Sequence, residues 1–398
     1  MQKHARVVIV GAGIVGAAAA YHLTRFGWRD ILLLDKGDLF DNDGSTSHAP
    51  GGVVAINHSK LMTRFAQYST ELYAQLPEYD HPRRTYNAVG SFELARTRAR
   101  WHDLQRLHNA AQSYEVETTL LSAREAQKMW PIINPDAFEG VLHVPSSALV
   151  SGECVTGSMA LEAQATGGCE ILPNTHVANI EIENGRVAAV LTDNPDLARI
   201  ECQHVLLCTN IWGPVLSDKL QVPLPLLAFE HQYAITQPLS ELSQFDPKNR
   251  DDEAVLPFIR DLDRTMYYRN HWSGLGVGSY WHKPLPVDPY DLQRTALKPF
   301  TPNDFEAAKV LAEEMMPPFR GQPLATQFNG MFAFSVDGYP FLGETRTEGI
   351  WTAVASWITH AGGVGKSIAE WMVFDEPEWD MRTCNVNRLH GYQSTRSY

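Results

Sequence analysis

The chain has 398 residues, with 33 Lys and Arg against 46 Asp and Glu, so its formal net charge is −13. It is 44% hydrophobic and 20% charged, as is usual for a soluble globular protein with a sizeable core. An acidic chain is poorly suited to nucleic acid or to an anionic membrane surface, and no apolar run approaches the ~20 residues of a membrane span. We therefore expect no nucleic-acid partner and no membrane partner.

The five cysteines have no CxxC spacing and are odd in number, which favours reduced thiols. The N-terminus enters a predicted strand almost at once, which leaves no room for a targeting peptide. Both observations favour a cytoplasmic location. The sequence contains no HExxH or similar ligand spacing and no GxSxG, so we expect neither a metal centre nor a serine hydrolase.

The first 36 residues predict a βαβ unit. Residues 6–10, "RVVIV", and 31–36, "ILLLDK", have the apolar, β-branched character of buried parallel strands. Between them, "GAGIVGAAAAYHLTRFG" has the periodicity of a helix that ends near Gly27.

Three glycines open this helix with the spacing of a dinucleotide-binding fingerprint. Gly11 permits a tight turn, Gly13 lets the backbone approach a pyrophosphate, and Gly16 lets helix and strand pack closely. The helix N-terminus offers N–H groups to phosphates, and Asp35 ends the second strand, where it can bind ribose hydroxyls. This pattern predicts a dinucleotide site without separating FAD from NAD.

The rest of the chain predicts two interleaved domains. A helix over 59–76 has Ser59 as its cap, and a tight turn at Asn184-Gly185 joins two strands. Further predicted elements are strands in 84–97, helices in 98–128, strands in 169–194, half-exposed antiparallel strands in 223–285 and a helix over 303–316. The predicted dinucleotide domain comprises 1–84, 140–222 and 325–385, the substrate domain 85–139 and 223–324, and a C-terminal tail 386–398.

The segment "AGGVGKS", 361–367, is similar to a phosphate-binding loop, but His360 stands where that motif needs its first glycine. We interpret it instead as a glycine-rich loop before a late helix. In that interpretation, the N–H groups of 359–364 stabilise negative charge on the N1–C2=O edge of a flavin.

A single histidine lies in the turn-prone segment "GSTSHAPGGV", residues 44–53. In one interpretation the hydroxyls cap the next segment and His48 is simply hydrogen-bonded. In the other, the loop follows an extended dinucleotide beyond its pyrophosphate, and the imidazole contacts the isoalloxazine or is bonded to it.

This segment resembles the "GSTxHAxG" segment of the dimethylglycine and sarcosine dehydrogenase/oxidase family, which consists of FAD enzymes with the D-amino-acid-oxidase fold. "LPLLAFEHQYAIT", "TMYYRN", "FNGMFAFSVDGYPFLGE" and "WITHAGGVGKSIAEWM" are similar to further family segments, in order along the whole chain. One departure is Thr209-Asn210, where the family usually has Ala-Gly, and this adds bulk near the cofactor.

The resemblance implies an α/β (α+β) fold in which an FAD-binding Rossmann-like domain is interleaved with an antiparallel-sheet substrate domain. It implies that FAD is covalently bonded through its 8α carbon to His48, and that His231 and Tyr267 are the catalytic residues. Strand alternation puts Tyr267 and Tyr268 on opposite faces, and the family pattern favours Tyr267. We expect His231 to titrate near the working pH. The full set of expected cofactor-binding residues is Gly11, Gly13, Ile14, Val15, Gly16, Asp35, Lys36, Ser45, Thr46, His48, Gly52, Val177, Thr359, His360, Gly362, Gly363 and Val364.

The expected reaction is oxidation of the C–N bond of a secondary or tertiary N-methylated amino acid, such as dimethylglycine or sarcosine. A hydride passes to flavin N5, and the resulting iminium hydrolyses to an aldehyde and the demethylated amine. The expected partners are a small cationic amine and either a folate-binding domain or subunit, since this chain stops where such a domain would begin, or an electron-transfer flavoprotein. The alternatives are an oxidase of the same fold for a different amine, and a non-catalytic flavin-binding subunit; an NAD-dependent dehydrogenase is a third.

Overall fold

The structure is a computed structural model that describes residues 3–39, 44–79, 81, 83–248, 252–292, 295–390 and 392. Its strands are β1 Lys3–Val10, β2 Ile31–Leu34, β3 Gly52–Val53, β4 Tyr86–Asn87, β5 Ser91–Ala95, β6 Thr119–Ser122, β7 Gly140–Val144, β8 Ala148–Val150, β9 Cys169–Leu172, β10 Val177–Glu183, β11 Arg186–Thr192, β12 Arg199–Leu207, β13 Leu226–Thr236, β14 Phe258–Asp261, β15 Met266–His271, β16 Gly274–Ser279, β17 Pro286–Val287, β18 Leu324–Ser335, β19 Phe341–Glu344 and β20 Ile350–Val354. Its α-helices are α1 Ile14–Arg25, α2 Lys60–Gln75, α3 Arg98–Ser113, α4 Ala123–Met129, α5 Gly152–Ala165, α6 Gly213–Lys219, α7 Pro302–Met315 and α8 Ile358–Phe374.

The first sheet confirms the predicted βαβ unit. Its strands follow the order β10-β11-β12-β1-β2-β9, and β20 pairs with β12 and with β19. The pairs β1–β12, β1–β2, β2–β9 and β12–β20 are parallel, whereas β10–β11, β11–β12 and β19–β20 are antiparallel. Helices α1, α5 and α8 pack together with apolar side chains of this sheet in one core cluster.

The second sheet has nine strands in the order β17-β13-β16-β15-β14-β5-β7-β6, with β18 paired to β13. It is antiparallel except for the β14–β5 pair. Strands β3, β8 and β4 form a third, small sheet. This architecture is the predicted combination of a Rossmann-like sheet and a largely antiparallel sheet.

Some local expectations differ from the structure. Strand β6 lies inside the segment predicted to be helical, and strands β7 and β18, which fall in segments predicted for the dinucleotide domain, pair in the nine-stranded sheet. The domain limits themselves remain a prediction. Of the predicted tail, Val386 is buried against the first sheet, and 391 and 393–398 lie outside the described residues.

Candidate active site

In the glycine turn between β1 and α1, two of the three glycines leave no space for a side chain. Gly11 has φ +107°, and a β-carbon placed there would lie 2.6 Å from the carbonyl oxygen of Cys208. A β-carbon at Gly16 would lie 1.9 Å from the carbonyl oxygen of Gly11, whereas one at Gly13 would meet only the Thr46 hydroxyl at 3.3 Å. The turn is therefore in close contact with α1 and with the residue that follows β12, while Gly13 presents open backbone.

Asp35 holds this turn in place from the end of β2. Its Oδ2 accepts a hydrogen bond from the Ala12 N–H at 2.7 Å, and its Oδ1 accepts one from the Gly37 N–H at 2.8 Å. Burial raises the pKa of the Asp35 carboxyl. Beside it, Lys36 Nζ lies 3.3 Å from the centre of the Trp212 ring. Asp35 thus fixes the shape of the turn as well as lining the adjacent cavity.

A cavity of about 670 Å³ runs from the glycine turn to the nine-stranded sheet. This volume lies within the usual range for a ligand-binding cleft. Most of the residues predicted from the sequence line it, namely Gly11, Gly13, Ile14, Val15, Asp35, Lys36, Ser45, Thr46, Gly52, Val177, Tyr267, Thr359 and His360. Gly16 lies behind the turn, and Gly362, Gly363 and Val364 are not among the lining residues.

The prediction of a glycine-rich loop at 361–367 is wrong, because these residues belong to α8. Gly362 N–H donates to the Tyr73 hydroxyl at 3.0 Å, and Gly363 N–H donates to Ser69 Oγ at 3.1 Å. A β-carbon at Gly363 would lie 2.5 Å from Cα of Phe65. The glycines therefore let α8 pack closely on α2, and α8 reaches the cavity only through Ile358, Thr359 and His360.

The segment that carries His48 lies across the N-termini of α1 and α8. Thr46 Oγ1 accepts from the Ile14 N–H at 3.3 Å, and Thr359 Oγ1 donates to the Gly52 carbonyl at 2.9 Å. Asn210 Nδ2 donates to Ser45 Oγ at 3.3 Å. Thr209-Asn210 stands here where the resembling family usually has Ala-Gly. The structure accommodates the larger residues, because the Asn210 side chain forms a hydrogen bond that links the end of β12 to this segment.

A second, water-sized cavity of about 10 Å³ adjoins the first and brings His48 to the expected catalytic pair. Both cavities share Ser45, Ala49, Pro50, Tyr267 and Phe332 as lining residues. His48 and His231 line the small cavity together with Tyr267. His48 stands 183 positions before His231 in the sequence, and the structure brings both residues together with Tyr267.

His231 and Tyr267 form a hydrogen-bonded pair, with His231 Nε2 and the Tyr267 hydroxyl 2.5 Å apart. The His231 ring stacks on Tyr280 with 4.0 Å between ring centres, and the Phe332 ring meets it edge-on at 5.0 Å. His231 Nδ1 is buried and has no hydrogen-bond partner among the described residues. A buried polar atom of this kind is suited to a ligand group, so the pair is placed to contact a bound molecule.

The pair is uncharged. Burial, followed by the nearby His282, lowers the pKa of His231 to about 3, and burial raises the pKa of Tyr267 well above its usual value. The expectation that His231 titrates near the working pH is therefore wrong, since the sequence does not reveal how deeply the imidazole is buried. As predicted by alternation, Tyr268 points to the other face of β15, into a separate core cluster.

Alternating glycines in β16 make room for this pair, a signal that the sequence analysis missed. A β-carbon at Gly278 would lie 1.8 Å from Cζ of the Tyr267 ring, and one at Gly276 would lie 2.1 Å from the Tyr233 hydroxyl oxygen. Both tyrosine side chains therefore lie across a strip of bare backbone. The period-2 glycines of "GLGVGSY" were the available signal, because they leave one face of a strand without side chains.

A buried ion pair links the His48 segment to the nine-stranded sheet. Arg269 Nη1 donates to the Pro50 carbonyl at 2.7 Å, and Arg269 Nη2 lies 3.1 Å from Glu253 Oε1. The same Glu253 oxygen lies 2.6 Å from His271 Nδ1, and His271 Nε2 lies 2.7 Å from the Tyr233 hydroxyl. Arg269 therefore holds Pro50, two residues after His48, against β15.

We expect the Arg269→Lys substitution to lower the free energy of unfolding by about 1–3 kcal/mol. A lysine keeps the positive charge beside Glu253, but its ammonium group cannot contact Glu253 and the Pro50 carbonyl in the way that the planar guanidinium does. Urea unfolding of both proteins measures the difference. Arg124→Lys is the matched control, since Arg124 and its partner Asp136 are both more than two-thirds exposed, and such a pair is worth at most ~1 kcal/mol. Equal losses of unfolding free energy in both variants would contradict the conclusion that Arg269 holds Pro50 against β15.

A Rossmann-like sheet, a glycine turn and a long cleft that ends at a second, antiparallel sheet define a dinucleotide-binding protein. The family profile described as "DAO: FAD dependent oxidoreductase" matches residues 6–371, and the chain belongs to this family. The L-proline dehydrogenase of P. horikoshii has the same fold, with a TM-score of 0.81 at 19% identity over 98% of each chain.

Curated relatives match the chain along its whole length. It is 29% identical to the mouse pyruvate dehydrogenase phosphatase regulatory subunit, and 28% identical to 4-methylaminobutanoate oxidase (formaldehyde-forming) of Paenarthrobacter nicotinovorans, over 100% of this chain in both cases. It is 25% identical to human dimethylglycine dehydrogenase over 99% of this chain. The matched regions make up 44%, 47% and 45% of those proteins, so the chain spans less than half their length.

Among the described residues, no helix is long and apolar enough to cross a bilayer.

Proposed function

We propose that this chain oxidises the C–N bond of an N-methylated amino acid of the dimethylglycine or sarcosine type, with FAD as its cofactor. The observation that carries the proposal is the hydrogen-bonded His231–Tyr267 pair, because Tyr267 lines the cleft that begins at the glycine turn and both residues line the small cavity that adjoins it. Relatives named for dimethylglycine and 4-methylaminobutanoate oxidation support the substrate class.

The cleft has the features that FAD requires. The open backbone at Gly13 and the N-terminus of α1 suit a pyrophosphate, and Asp35 lies where ribose hydroxyls would be bound. His48 lies beside the opposite end, next to Tyr267, and we propose that its imidazole is bonded to the 8α carbon of the isoalloxazine. When bound, FAD would supply the acceptor for a hydride, which carries the two electrons of the oxidation.

The residues of the chain act on the amine. A neutral site does not compensate the charge of an ammonium group, so the substrate is favoured in its deprotonated form, whose lone pair assists loss of hydride. The Tyr267–His231 pair offers hydrogen-bonding groups that orient the nitrogen. The rings of Tyr280 and Phe332 tolerate positive charge that develops on the nitrogen. The iminium product is then hydrolysed by water to an aldehyde and the demethylated amine.

The test is anaerobic mixing of the flavin-loaded protein with dimethylglycine, sarcosine and 4-methylaminobutanoate, with glycine and 4-aminobutanoate as unmethylated controls. We expect the visible absorption of the flavin to bleach with at least one methylated compound and with neither control. Bound flavin that no methylated compound bleaches would contradict the proposal. That result would favour a non-catalytic flavin-binding subunit, a second candidate supported by the similarity to a regulatory subunit.

The rate of flavin reduction should rise with pH along a single ionisation that belongs to the substrate amine. The reactive amine is the deprotonated form, so raising the pH increases its fraction. His231, with a pKa lowered to about 3 by burial, is already neutral, and Tyr267, with a raised pKa, is still protonated. Stopped-flow measurements with two substrates of different amine pKa check this. An apparent pKa near 6.5 that is the same for both substrates would instead point to a histidine.

A further inference from the structure

Two hydroxyl groups in the large cleft have no hydrogen-bond partner among the described residues. Thr209 Oγ1 and Ser356 Oγ are both shielded from solvent, and both residues line the cleft. In the described part of the chain, the other buried side-chain atoms without a partner, such as Thr156 Oγ1 and Ser367 Oγ, belong to residues that do not line it. A buried hydroxyl that stays unpaired costs free energy, so two of them in a binding cleft are suited to a polar ligand.

Both hydroxyls stand at the carboxyl end of a parallel strand. Thr209 lies two residues beyond the end of β12, and Ser356 lies two residues beyond the end of β20. Strand β12 runs between β1 and β20, with Leu207 beside Val10 on one side and beside Thr352 on the other. The ends of β2, β1, β12 and β20 therefore follow one another in this order, and ligands of such sheets bind at these ends.

Neither hydroxyl caps the helix that begins beside it. Thr209 is the N-cap residue of a 3₁₀ helix over Asn210–Trp212, but its side chain makes no capping hydrogen bond. Ser356 lies two residues before α8 begins, and the N-terminus of α8 has no side-chain cap. The neighbouring residues Asn210 and Ala355 have φ values of +40° and +60°, which non-glycine residues rarely adopt. Such backbone strain concentrates at ligand sites, which agrees with a binding role for both hydroxyls.

The two hydroxyls lie between the glycine turn and the nine-stranded sheet. On the side of the turn, Thr209 directly follows Cys208, whose carbonyl oxygen is in close contact with Gly11. On the side of the sheet, Ile211 packs in one core cluster with Met331 of β18. Next to Ser356, the Trp357 ring meets the ring of Phe332, also on β18, with 5.5 Å between ring centres.

This placement indicates which part of FAD the hydroxyls meet. The pyrophosphate suits the open backbone at Gly13, and Asp35, at the end of β2, lies where the ribose of the adenosine half would be bound. Strands β12 and β20 lie on the other side of β1 from β2. The other half of FAD leaves the pyrophosphate as a ribityl chain, which carries a row of hydroxyl groups and leads to the isoalloxazine.

We propose that the Thr209 and Ser356 hydroxyls bind the ribityl chain of FAD. A serine or threonine hydroxyl can both donate and accept, so each can pair with a ribityl hydroxyl in either direction. The family that the chain resembles usually has alanine at 209, and alanine could not supply this contact. The inference rests on FAD as the cofactor of the proposed function, and it is independent of the amine that is oxidised.

Reversible binding to the His48→Ala protein, used as the parent, separates the ribityl contact from the covalent bond. The ligands are FAD, riboflavin, which keeps the ribityl chain without phosphates, lumiflavin, which lacks the ribityl chain, and ADP, which lacks the flavin. Quenching of fluorescence measures the flavins, and calorimetry measures ADP. The substitutions are Thr209→Val, Ser356→Ala and both together. Thr156→Val and Ser367→Ala are matched controls, since each removes an unpaired, fully buried hydroxyl outside the cleft.

We expect each cleft substitution to weaken binding of FAD and of riboflavin about 3- to 10-fold, and the double substitution about 10- to 100-fold, as for the loss of one or two hydrogen bonds. Lumiflavin and ADP should bind to every variant within about twofold of the parent, and the two controls should bind all the ligands in this way. Thr209→Ser, which keeps the hydroxyl, should restore binding of FAD and riboflavin.

Three results would overturn the assignment. The first is an equal loss of affinity for riboflavin and lumiflavin. The second is a double variant that binds FAD like the parent. The third is a loss of affinity for ADP with riboflavin unchanged, which would place the hydroxyls at the pyrophosphate instead.

Thermal unfolding provides a second measurement. Removal of an unpaired buried hydroxyl leaves no polar group without a partner, so the flavin-free variants should unfold at or above the Tm of the parent. Added FAD raises the Tm according to its affinity, and this rise should be smaller in the cleft variants than in the controls. Flavin-free cleft variants that do not fold, or that unfold well below the parent while the controls do not, would show that the hydroxyls serve the fold and would overturn the assignment.

The ribityl contact and the proposed function fail in different ways, because these measurements involve no amine. Loss of FAD affinity as expected, in a protein whose flavin no methylamino acid bleaches, would contradict the oxidation alone. A wild type that is bleached, with FAD affinity unchanged by the substitutions at Thr209 and Ser356, would contradict the ribityl contact alone.

Discussion

The Tyr267→Phe substitution is expected to slow flavin reduction by the amine about 100-fold, the scale on which a misplaced reacting group slows a reaction. The substitution removes the hydroxyl that lies 2.5 Å from His231 Nε2 and leaves this nitrogen without its partner in a buried site. The ring itself remains over Gly278, so the shape of the cleft is preserved. Stopped-flow reduction at saturating substrate measures the change directly.

Tyr268→Phe is the matched control for this experiment. Tyr268 is the next residue of the same strand, is fully buried, and packs into the core cluster on the opposite face of the sheet. We expect this loss of a hydroxyl to change the stability of the protein but to leave the rate of flavin reduction within about threefold of wild type. The reason is that the substitution leaves the site itself unchanged. Comparable rates in Tyr267→Phe and wild type would show that the Tyr267 hydroxyl does not contribute to the reaction.

The Gly16→Ala substitution is expected to abolish most flavin binding and to lower the free energy of unfolding by about 3 kcal/mol or more, at the upper end of the cost of overpacking. The added β-carbon would lie 1.9 Å from the Gly11 carbonyl oxygen, a distance that real β-carbons essentially never show. The obstacle is backbone, so the turn and α1 must separate, and the turn would then lose its fit to a pyrophosphate. Flavin content per chain and thermal unfolding measure the two effects.

Gly13→Ala distinguishes crowding within the protein from crowding of the ligand. Its β-carbon would meet only the Thr46 hydroxyl at 3.3 Å, so the fold has room for it. We expect this variant to retain stability within about 1 kcal/mol while binding flavin more weakly, because the backbone at this position approaches the pyrophosphate. A Gly16→Ala protein with full flavin content and wild-type stability would show that the close contact is not needed.

Features encoded by short segments were predicted well from the sequence. The βαβ unit follows from two apolar runs and a glycine spacing, and Ser59 caps α2 by accepting from the Met62 N–H. The turn at Asn184-Gly185 has φ values of 52° and 80°, the left-handed conformation that this dipeptide favours. In each case the deciding interactions lie within a few residues of one another.

Features decided by distant contacts were missed. The glycines of α8 look like a loop in isolation, and only the proximity of Phe65 and Ser69 on α2 makes them sites of close helix packing. The low pKa of His231 depends on burial by aromatic side chains from β18 and the end of β16.

Peptide mapping of the purified protein tests the central claim most directly. After proteolysis, mass spectrometry of the peptide that contains His48 should find it carrying a flavin, with fragmentation placing the added mass on the imidazole. The same peptide from His48→Ala should be unmodified, and its flavin should be released by acid. An unmodified His48 peptide from yellow wild-type protein would contradict the covalent attachment on which this account of the site is built.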